Sequence, residues 1–347
     1  FCGNFLNNKS WELSYNHNQK CIDIDDDLAE KLKECYEINK LFCKIKTSQS
    51  LDNLNDYEKS TFNKYGYLVR VAVFAASIEK CSKNIIFYGA PGTGKTKFVK
   101  DCLDILDPNR ARTEWVQFHS GFEYEDFIDG IKPIGIQNGN LNLALTNGIF
   151  KEFCLKAAQN DKENFFFVAD EINRADIAAV FGETLSLLEE NYRGESIKTK
   201  NFPLSNQEFF IPANIYFIGM MNDVDKNIDC FDLALRRRFT WILMECDYDV
   251  LNDLDKKYSG YKEKCENLNK YITSETYELN GKQEQDGLNL GRAYEIGHSY
   301  FLKKAKMSEQ EIWDRHIEPI LCEYIRTQFS DGEVEKKLET AKKIFVG

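Results

Sequence analysis

The chain has 347 residues, with 45 Lys and Arg against 56 Asp and Glu, a net charge of −11. That acid excess makes the chain a poor candidate for a general nucleic-acid binder, whose surface carries a basic footprint, while leaving room for one basic face or pore. With 43% hydrophobic and 29% charged residues it has a globular composition, and its length suits roughly two or three structural units. The eleven cysteines include no C-x2-C pair and the four histidines lack ligand spacing, so reduced thiols of a cytoplasmic protein are expected and a zinc site is not. No apolar run of about 18 residues and no export-type segment is visible, so no membrane partner is expected. Residue 1 is Phe, as in a fragment from which an N-terminal domain has been removed.

In chain order, residues 1–65 are polar and mixed, with an acidic patch (Asp23, Asp25, Asp26, Asp27) opening a helical pattern from Leu28 to Cys43 and a connector over Thr47–Thr61. A helix is expected over Tyr65–Lys80. From Asn84 to Glu245 strand and helix alternate. Strands are expected at Asn84–Tyr88, Glu114–His119, Phe165–Ala169, Ile215–Met220 and Phe239–Glu245, and helices at Gly94–Leu106, Ile149–Gln159, Ile177–Glu190 and Phe231–Arg236. Near-continuous apolar strands of this kind form a parallel sheet covered on both faces. Ile131–Gly148 and Tyr192–Ala213 break the rhythm as candidate β-hairpins. After Asp247 the composition turns to Lys, Glu, Asn and Tyr at helical spacing. A loop is expected over Thr276–Arg292, a helix through His298 and Phe301, and helices at Ser308–Phe329 and Asp331–Ile344. The expected division is therefore a mixed N-terminal segment and connector (1–65), an α/β core (66–246) and a small helical domain (247–347).

Gly89-Ala90-Pro91-Gly92-Thr93-Gly94-Lys95-Thr96 stands between the first core strand and its helix and forms a complete P-loop. A strand feeding a glycine-rich turn into a helix N-terminus aims backbone N–H groups and the positive end of the helix dipole at one point, which suits a phosphate chain. Lys95 is then placed for the β- and γ-phosphates of a nucleoside triphosphate and the Thr96 hydroxyl for Mg²⁺. Phe165-Phe166-Phe167-Val168-Ala169-Asp170-Glu171 is an apolar strand ending in two acids. Such an end is often a solvated turn; beside a P-loop the first acid suits the Mg²⁺ shell and the second a water-polarising base. The strand Ile215–Met221 ends at Asn222, which either caps the next turn or orients the attacking water. Arg236-Arg237-Arg238 reads either as a solvated face or as an arginine finger reaching a neighbouring subunit's site; a finger implies a ring, and Arg236 or Arg237 is the candidate, with Arg238 the structural member.

The order P-loop, Asp-Glu strand, Asn strand, arginine cluster and helical lid resembles an AAA+ P-loop NTPase. The segment Phe118-His119-Ser120-Gly121-Phe122-Glu123-Tyr124-Glu125-Asp126-Phe127-Ile128-Asp129-Gly130-Ile131-Lys132-Pro133 narrows the resemblance to the McrB family. So do Asp170-Glu171-Ile172-Asn173-Arg174-Ala175, Val180-Phe181-Gly182-Glu183, Ala234-Leu235-Arg236-Arg237-Arg238-Phe239 and Ile296-Gly297-His298-Ser299-Tyr300-Phe301. The likeness spans about residues 84–301. It implies a Mg²⁺-dependent hydrolase of GTP, with ATP the competitor, working as a hexameric ring that powers DNA translocation for a McrC-like endonuclease. The family's M-N-T-A-D-R-S is here Met221-Asn222-Asp223-Val224-Asp225-Lys226-Asn227, which keeps Asn222 and the nucleotide-site Asp225 but replaces the Thr, Arg and Ser. A MoxR-like protein-remodelling ring is the alternative.

Overall fold

The computed structural model describes residues 14–16, 21–23, the positions Tyr67, Arg70, Val71, Phe74, Ala75 and Ile78, and residues 82–347 apart from 138–139, 225–232 and 280–281. The helical pattern expected from Leu28 to Cys43 and the connector at Thr47–Thr61 fall outside these residues. The chain divides into two compact units, residues 1–81 with 98–110, and residues 82–97 with 111–347.

In the first unit, β1 (Ser14–Asn16) pairs antiparallel with β2 (Cys21–Asp23), strands that the polar sequence there did not announce. Tyr67, Arg70, Val71, Phe74 and Ala75 are helical, as the spacing of Tyr65–Lys80 predicts. The Tyr67 hydroxyl donates to Asp101 Oδ2 at 2.7 Å, and the rings of Tyr67 and Phe74 meet Phe98 edge-on.

The second unit is built on a five-stranded parallel sheet. Its strands are β3 (Asn84–Gly89), β4 (Thr113–Gln117), β7 (Phe165–Asp170), β8 (Ile215–Asn222) and β9 (Thr240–Leu243), in the order β4-β7-β8-β3-β9. The central strands are buried on both faces up to their last residues, the burial their apolar runs predict. The outer β4 and β9 are only half-buried. Between β4 and β7 the hairpin β5 (Asp129–Gln137) and β6 (Asn140–Asn147) leaves the sheet, as Ile131–Gly148 predicts, and carries exposed Ile131, Ile136, Leu141 and Leu143. Helices α2 (Ile149–Ala158), α3 (Ile177–Phe181) and α4 (Leu233–Arg236) follow β6, β7 and β8, while α1 (Lys95–Leu106), which follows β3, begins in this unit and runs on as part of the first. A cluster of aromatic rings fills one side, with Phe127 stacked on Phe150 at 4.6 Å and Phe167 on Phe217 at 5.4 Å.

The second hydrophobic cluster is helical. It gathers α5 (Tyr261–Thr273), α6 (His298–Phe301), α7 (Glu318–Ile325) and α8 (Asp331–Phe345) around Trp313, Leu321 and Phe345. The fold is therefore α/β with a parallel sheet flanked by helices and a small C-terminal helical lid. Among the described residues no helix is long and apolar enough to cross a membrane.

Several elements depart from their sequence pattern. The helix expected over Ile177–Glu190 is α-helical only to Phe181 and continues as 3-10 turns at Gly182–Leu188 and Glu190–Tyr192. Gly182, at φ 53° and ψ −134°, leaves the α region and ends the helix there. Tyr192–Ala213 forms one isolated bridge, Ile197 to Phe209, with the short helix Phe202–Ser205 between them. The loop Thr276–Arg292 contains two strands, β10 (Tyr277–Leu279) and β11 (Lys282–Glu284). Ser308–Phe329 is broken by a π-helical turn, Trp313–Ile317, directly before Pro319. Proline has no N–H for the i−4 carbonyl and its ring clashes with it, and the wider turn relieves both.

The base of the hairpin is fixed by a buried ion pair. Lys151 Nζ lies 2.6 Å from Asp129 Oδ2, with side-chain exposures of 3% and 0%, and Asn201 Nδ2 donates to Asp129 Oδ1 at 2.7 Å. Removing one member leaves an uncompensated charge in the core. Lys151→Met should therefore cost about 3–5 kcal/mol despite its similar volume, read from urea unfolding midpoints. A cost under ~1 kcal/mol would mean that the pair contributes no more than a surface bridge.

Candidate active site

Gly89, Ala90, Pro91, Gly92, Thr93 and Gly94 form the turn between β3 and α1. Gly92 and Gly94 sit at φ 81° and 82°, left-handed values that exclude ordinary side chains. Thr93 Oγ1 donates to the Ala90 carbonyl at 3.0 Å. Lys95 opens α1 and is almost fully buried; its ammonium donates to the carbonyls of Gly89 (3.0 Å) and Ala90 (2.8 Å), so the loop is tied to its own lysine. Thr96 follows on the exposed side of the same turn.

The strand order brings the acids to this loop's neighbourhood. Because β8 lies between β3 and β7, with Gly89 opposite Asn222 and Ala169 opposite Gly219, β3 and β8 end together and β7 ends beside them, short of Asn222. Asp170 ends β7, and its Oδ1 accepts the Glu171 N–H at 3.1 Å. Glu171 adopts φ 53° and ψ 42°, a left-handed conformation uncommon outside glycine that turns its side chain off the strand axis. Its two oxygens are held separately: Asn222 Nδ2 donates to Oε1 at 3.1 Å and Arg174 Nε to Oε2 at 3.2 Å. Asn222 and Glu171, 51 residues apart, thus form one unit. The next residue, Asp223, donates its N–H to the Gly89 carbonyl at 3.1 Å. Burial raises its carboxyl pKa, against the opposing pull of Arg236 and Lys95. Asp225 lies outside the described residues.

The three arginines reach three environments. Arg236 lies over the Trp241 ring, 5.5 Å from its centroid, and its carbonyl accepts the indole N–H at 3.0 Å. Arg237 is 67% exposed and Arg238 11%, and both bond Glu189, at 3.3 and 3.0 Å.

The lid meets the P-loop directly. The Ser299 N–H donates to the Gly92 carbonyl at 3.0 Å. A Cβ on Gly297 would stand 2.2–2.4 Å from the Gly92 and Pro91 backbones, so only glycine permits this approach. His298 lies beside Gly94, and its Nδ1 accepts the Asp247 N–H at 3.1 Å. Next to it, Glu295 is buried and accepts the Cys246 N–H at 2.5 Å. Burial raises its pKa to about 7, helped by Glu245 and opposed by that N–H, Arg292 and Lys95.

The donor chemistry fits a magnesium nucleotide. Thr96 and Asp170 offer hard oxygens, and no described group of three His, Cys, Asp or Glu residues forms a cage of its own. A hydroxyl and a carboxylate are ligands that a magnesium ion accepts when substrate phosphates complete its shell. The sequence alone did not reveal the bond of Arg174 to Glu171, Glu189 under the arginines, the approach of Gly297 to the P-loop, or the bond of Glu295 to Cys246. All but the first are contacts between residues distant in the chain, which local pattern does not carry.

Residues 84–239 match the family model of the AAA domain (dynein-related subfamily), and residues 263–331 match that of the McrB alpha-helical lid domain. The chain thus joins an AAA domain to a McrB-type lid, a McrB-like AAA+ arrangement. It is 37% identical over 229 residues to the type IV methyl-directed restriction enzyme EcoKMcrB subunit of Escherichia coli K12, covering 63% of this chain and 47% of that protein. It is 28% identical over 308 residues to the type II restriction enzyme BsuMI component YdiS of Bacillus subtilis 168, covering 78% of this chain and 83% of that one. This McrB-like chain therefore spans about half the length of the first relative and most of the second.

The sign of the Glu295 effect in the McrB-like chain follows from linkage. Between its ordinary value of 4.5 and about 7, the folded chain holds a proton that the unfolded chain has released. Stability should therefore fall across that window as pH rises, with Glu295 contributing a slope approaching about 1.4 kcal/mol per pH unit. Glu295→Gln should remove this component from denaturant unfolding measured at several pH values. An unchanged slope would reject Glu295 as its source.

Proposed function

We propose that this McrB-like chain is a Mg²⁺-dependent nucleoside-triphosphate hydrolase that works as a ring, hexameric by family resemblance, and powers DNA translocation for a McrC-like endonuclease in a cytoplasmic restriction system. The observation that carries the hydrolase reading is the Asn222–Glu171 bond at the level of the P-loop. A carboxylate fixed by an amide beside a phosphate-binding turn is suited to orient and polarise a water. The restriction role rests on the two relatives and on the McrB lid match, which also favours this reading over a MoxR-like remodelling ring. GTP is the preferred substrate on family grounds. ATP competes because Asp223, Lys226 and Asn227 replace family residues of the signature segment. In this reading residues 66–246 form the motor and 247–347 its lid, while 1–65 lead into them.

The P-loop backbone from Gly89 to Gly94 would hold the phosphates, with Lys95 turning from its carbonyl partners to the β- and γ-oxygens, and Asp225 would assist binding. Thr96 and Asp170 would hold Mg²⁺, which supplies neutralising charge to the same oxygens. Glu171 accepts the proton of a water attacking the γ-phosphorus. The bond to the leaving diphosphate breaks, giving nucleoside diphosphate and inorganic phosphate. Arg237, or Arg236, adds positive charge from a neighbouring subunit as that bond breaks.

Glu171→Gln should bind a fluorescent GTP or ATP analogue as the parent does and lose about 10²-fold or more in kcat, since an amide of equal volume is a poor proton acceptor. Parental turnover would remove Glu171 from the reaction.

The shared site is tested by mixing. Arg237→Ala should bind nucleotide normally and hydrolyse it on the order of 10³-fold more slowly. Mixed with Glu171→Gln protein it should recover part of the turnover, at interfaces where an intact glutamate meets a neighbour's intact arginine. Absence of recovery, with subunit exchange verified by labelled protein, would sink the trans arrangement.

A further inference from the structure

Glu189 has no part in the scheme above, yet it is the meeting point of the arginine cluster. Arg237 Nη2 and Arg238 Nη2 both approach its Oε1, at 3.3 and 3.0 Å. The two guanidiniums differ in character. Arg238 is nearly buried, while Arg237 stands 67% exposed at the rim of a cavity of about 290 Å³ lined also by Ser82, Asn84 and Glu190. The carboxylate therefore binds one arginine that is fixed and one that faces outward.

The backbone around this fork is rigid for a visible reason. Asn84, buried at the first position of the P-loop strand β3, donates from one Nδ2 to the carbonyl of Leu188 (2.6 Å) and to the carbonyl of Arg238 (3.0 Å). One amide thus clamps the residue before Glu189 to the last arginine. Its Oδ1 accepts Arg193 Nη2 at 2.5 Å, and Glu190 Oε1 accepts the Lys83 N–H at 2.9 Å, so the Glu189 segment is bonded to the root of β3 on both sides.

We infer that Glu189 is a positioning residue that presents Arg237 to the nucleotide site of a neighbouring subunit. This rests on the ring reading given above. An exposed arginine carries rotamer entropy, which it loses on entering a neighbour's site. A carboxylate that already restricts the guanidinium lowers that loss at the moment of reaction. Glu189 also screens the repulsion between two adjacent cations that would otherwise splay them apart.

The test is Glu189→Gln in the full chain, with Glu189→Asp as the second variant. Nucleotide affinity and KM should match the parent. The kcat should fall about tenfold or more in Glu189→Gln, the scale expected of a catalytic group displaced by about an ångström. Glu189→Asp, which keeps the charge on a shorter stem, should fall less, and it carries the test should Glu189→Gln not fold. Glu189→Gln combined with Arg237→Ala should be no slower than Arg237→Ala alone, because both act through one guanidinium. Mixing Glu189→Gln with Glu171→Gln protein should restore turnover. Parental or faster hydrolysis by both Glu189 variants, alongside a slow Arg237→Ala, overturns the positioning role and leaves the ring reading intact. Losses that multiply with Arg237→Ala overturn it equally. Parental hydrolysis by Arg237→Ala itself overturns the positioning role together with the choice of Arg237 as the finger, and leaves Arg236 as the candidate.

Discussion

The contact on which the rest depends is backbone against backbone, where Gly297 of the lid lies on Gly92 and Pro91 of the P-loop. No side chain fits between them. The loop is therefore gripped twice, by its own Lys95 ammonium on two of its carbonyls and by the lid's Ser299 N–H on a third. A phosphate-binding turn can be assembled from one strand and one helix. A turn whose conformation also fixes a second layer of helices ties the state of the phosphates to the lie of the lid.

The sheet supplies the second constraint. Its central strands are apolar to their last residues and then end, at the same edge of the sheet, in Gly89, Asp170 and Asn222. The polar groups at that edge are few and shared. The Gly89 carbonyl accepts from both Lys95 and the Asp223 N–H, and Glu171 takes one donor on each oxygen. Elsewhere in the interior the Lys151–Asp129–Asn201 set and the Asn84 amide give their charges and dipoles partners. Both sets act on placement, one at the base of the hairpin and the other under the arginine cluster.

What could be read from the sequence was whatever depends on neighbours along the chain. The apolar runs and the glycines of the P-loop located the five strands to within about two residues, inside the usual uncertainty of strand ends. The Ile131–Gly148 hairpin was legible for the same reason. Helices were less legible where a single residue overrides the period: Gly182 ends α3 after Phe181, and Pro319 forces the wide turn before α7. The site residues Lys95, Asp170, Glu171 and Asn222 could be named because each stands at the end of a strand or the start of a helix. The bonds of Glu189, Glu295 and Gly297 could not, because their partners lie 48 or more residues away.

The arginine cluster shows how three identical side chains in a row acquire different physics. The last turn of α4 and the start of β9 send successive residues in different directions. Arg236 lies over the Trp241 ring and its carbonyl accepts the indole N–H, so it is held against its own subunit's β9. Arg238 is nearly buried and its carbonyl is bonded to Asn84. Arg237 alone of the three is both largely exposed and held by a carboxylate. A guanidinium that has to act in another subunit's site needs exposure to reach it and restraint to reach it in one geometry. Arg236 and Arg238 each lack one of these in this form, which is why Arg237 is the member of the cluster that the geometry suits for transfer across a boundary.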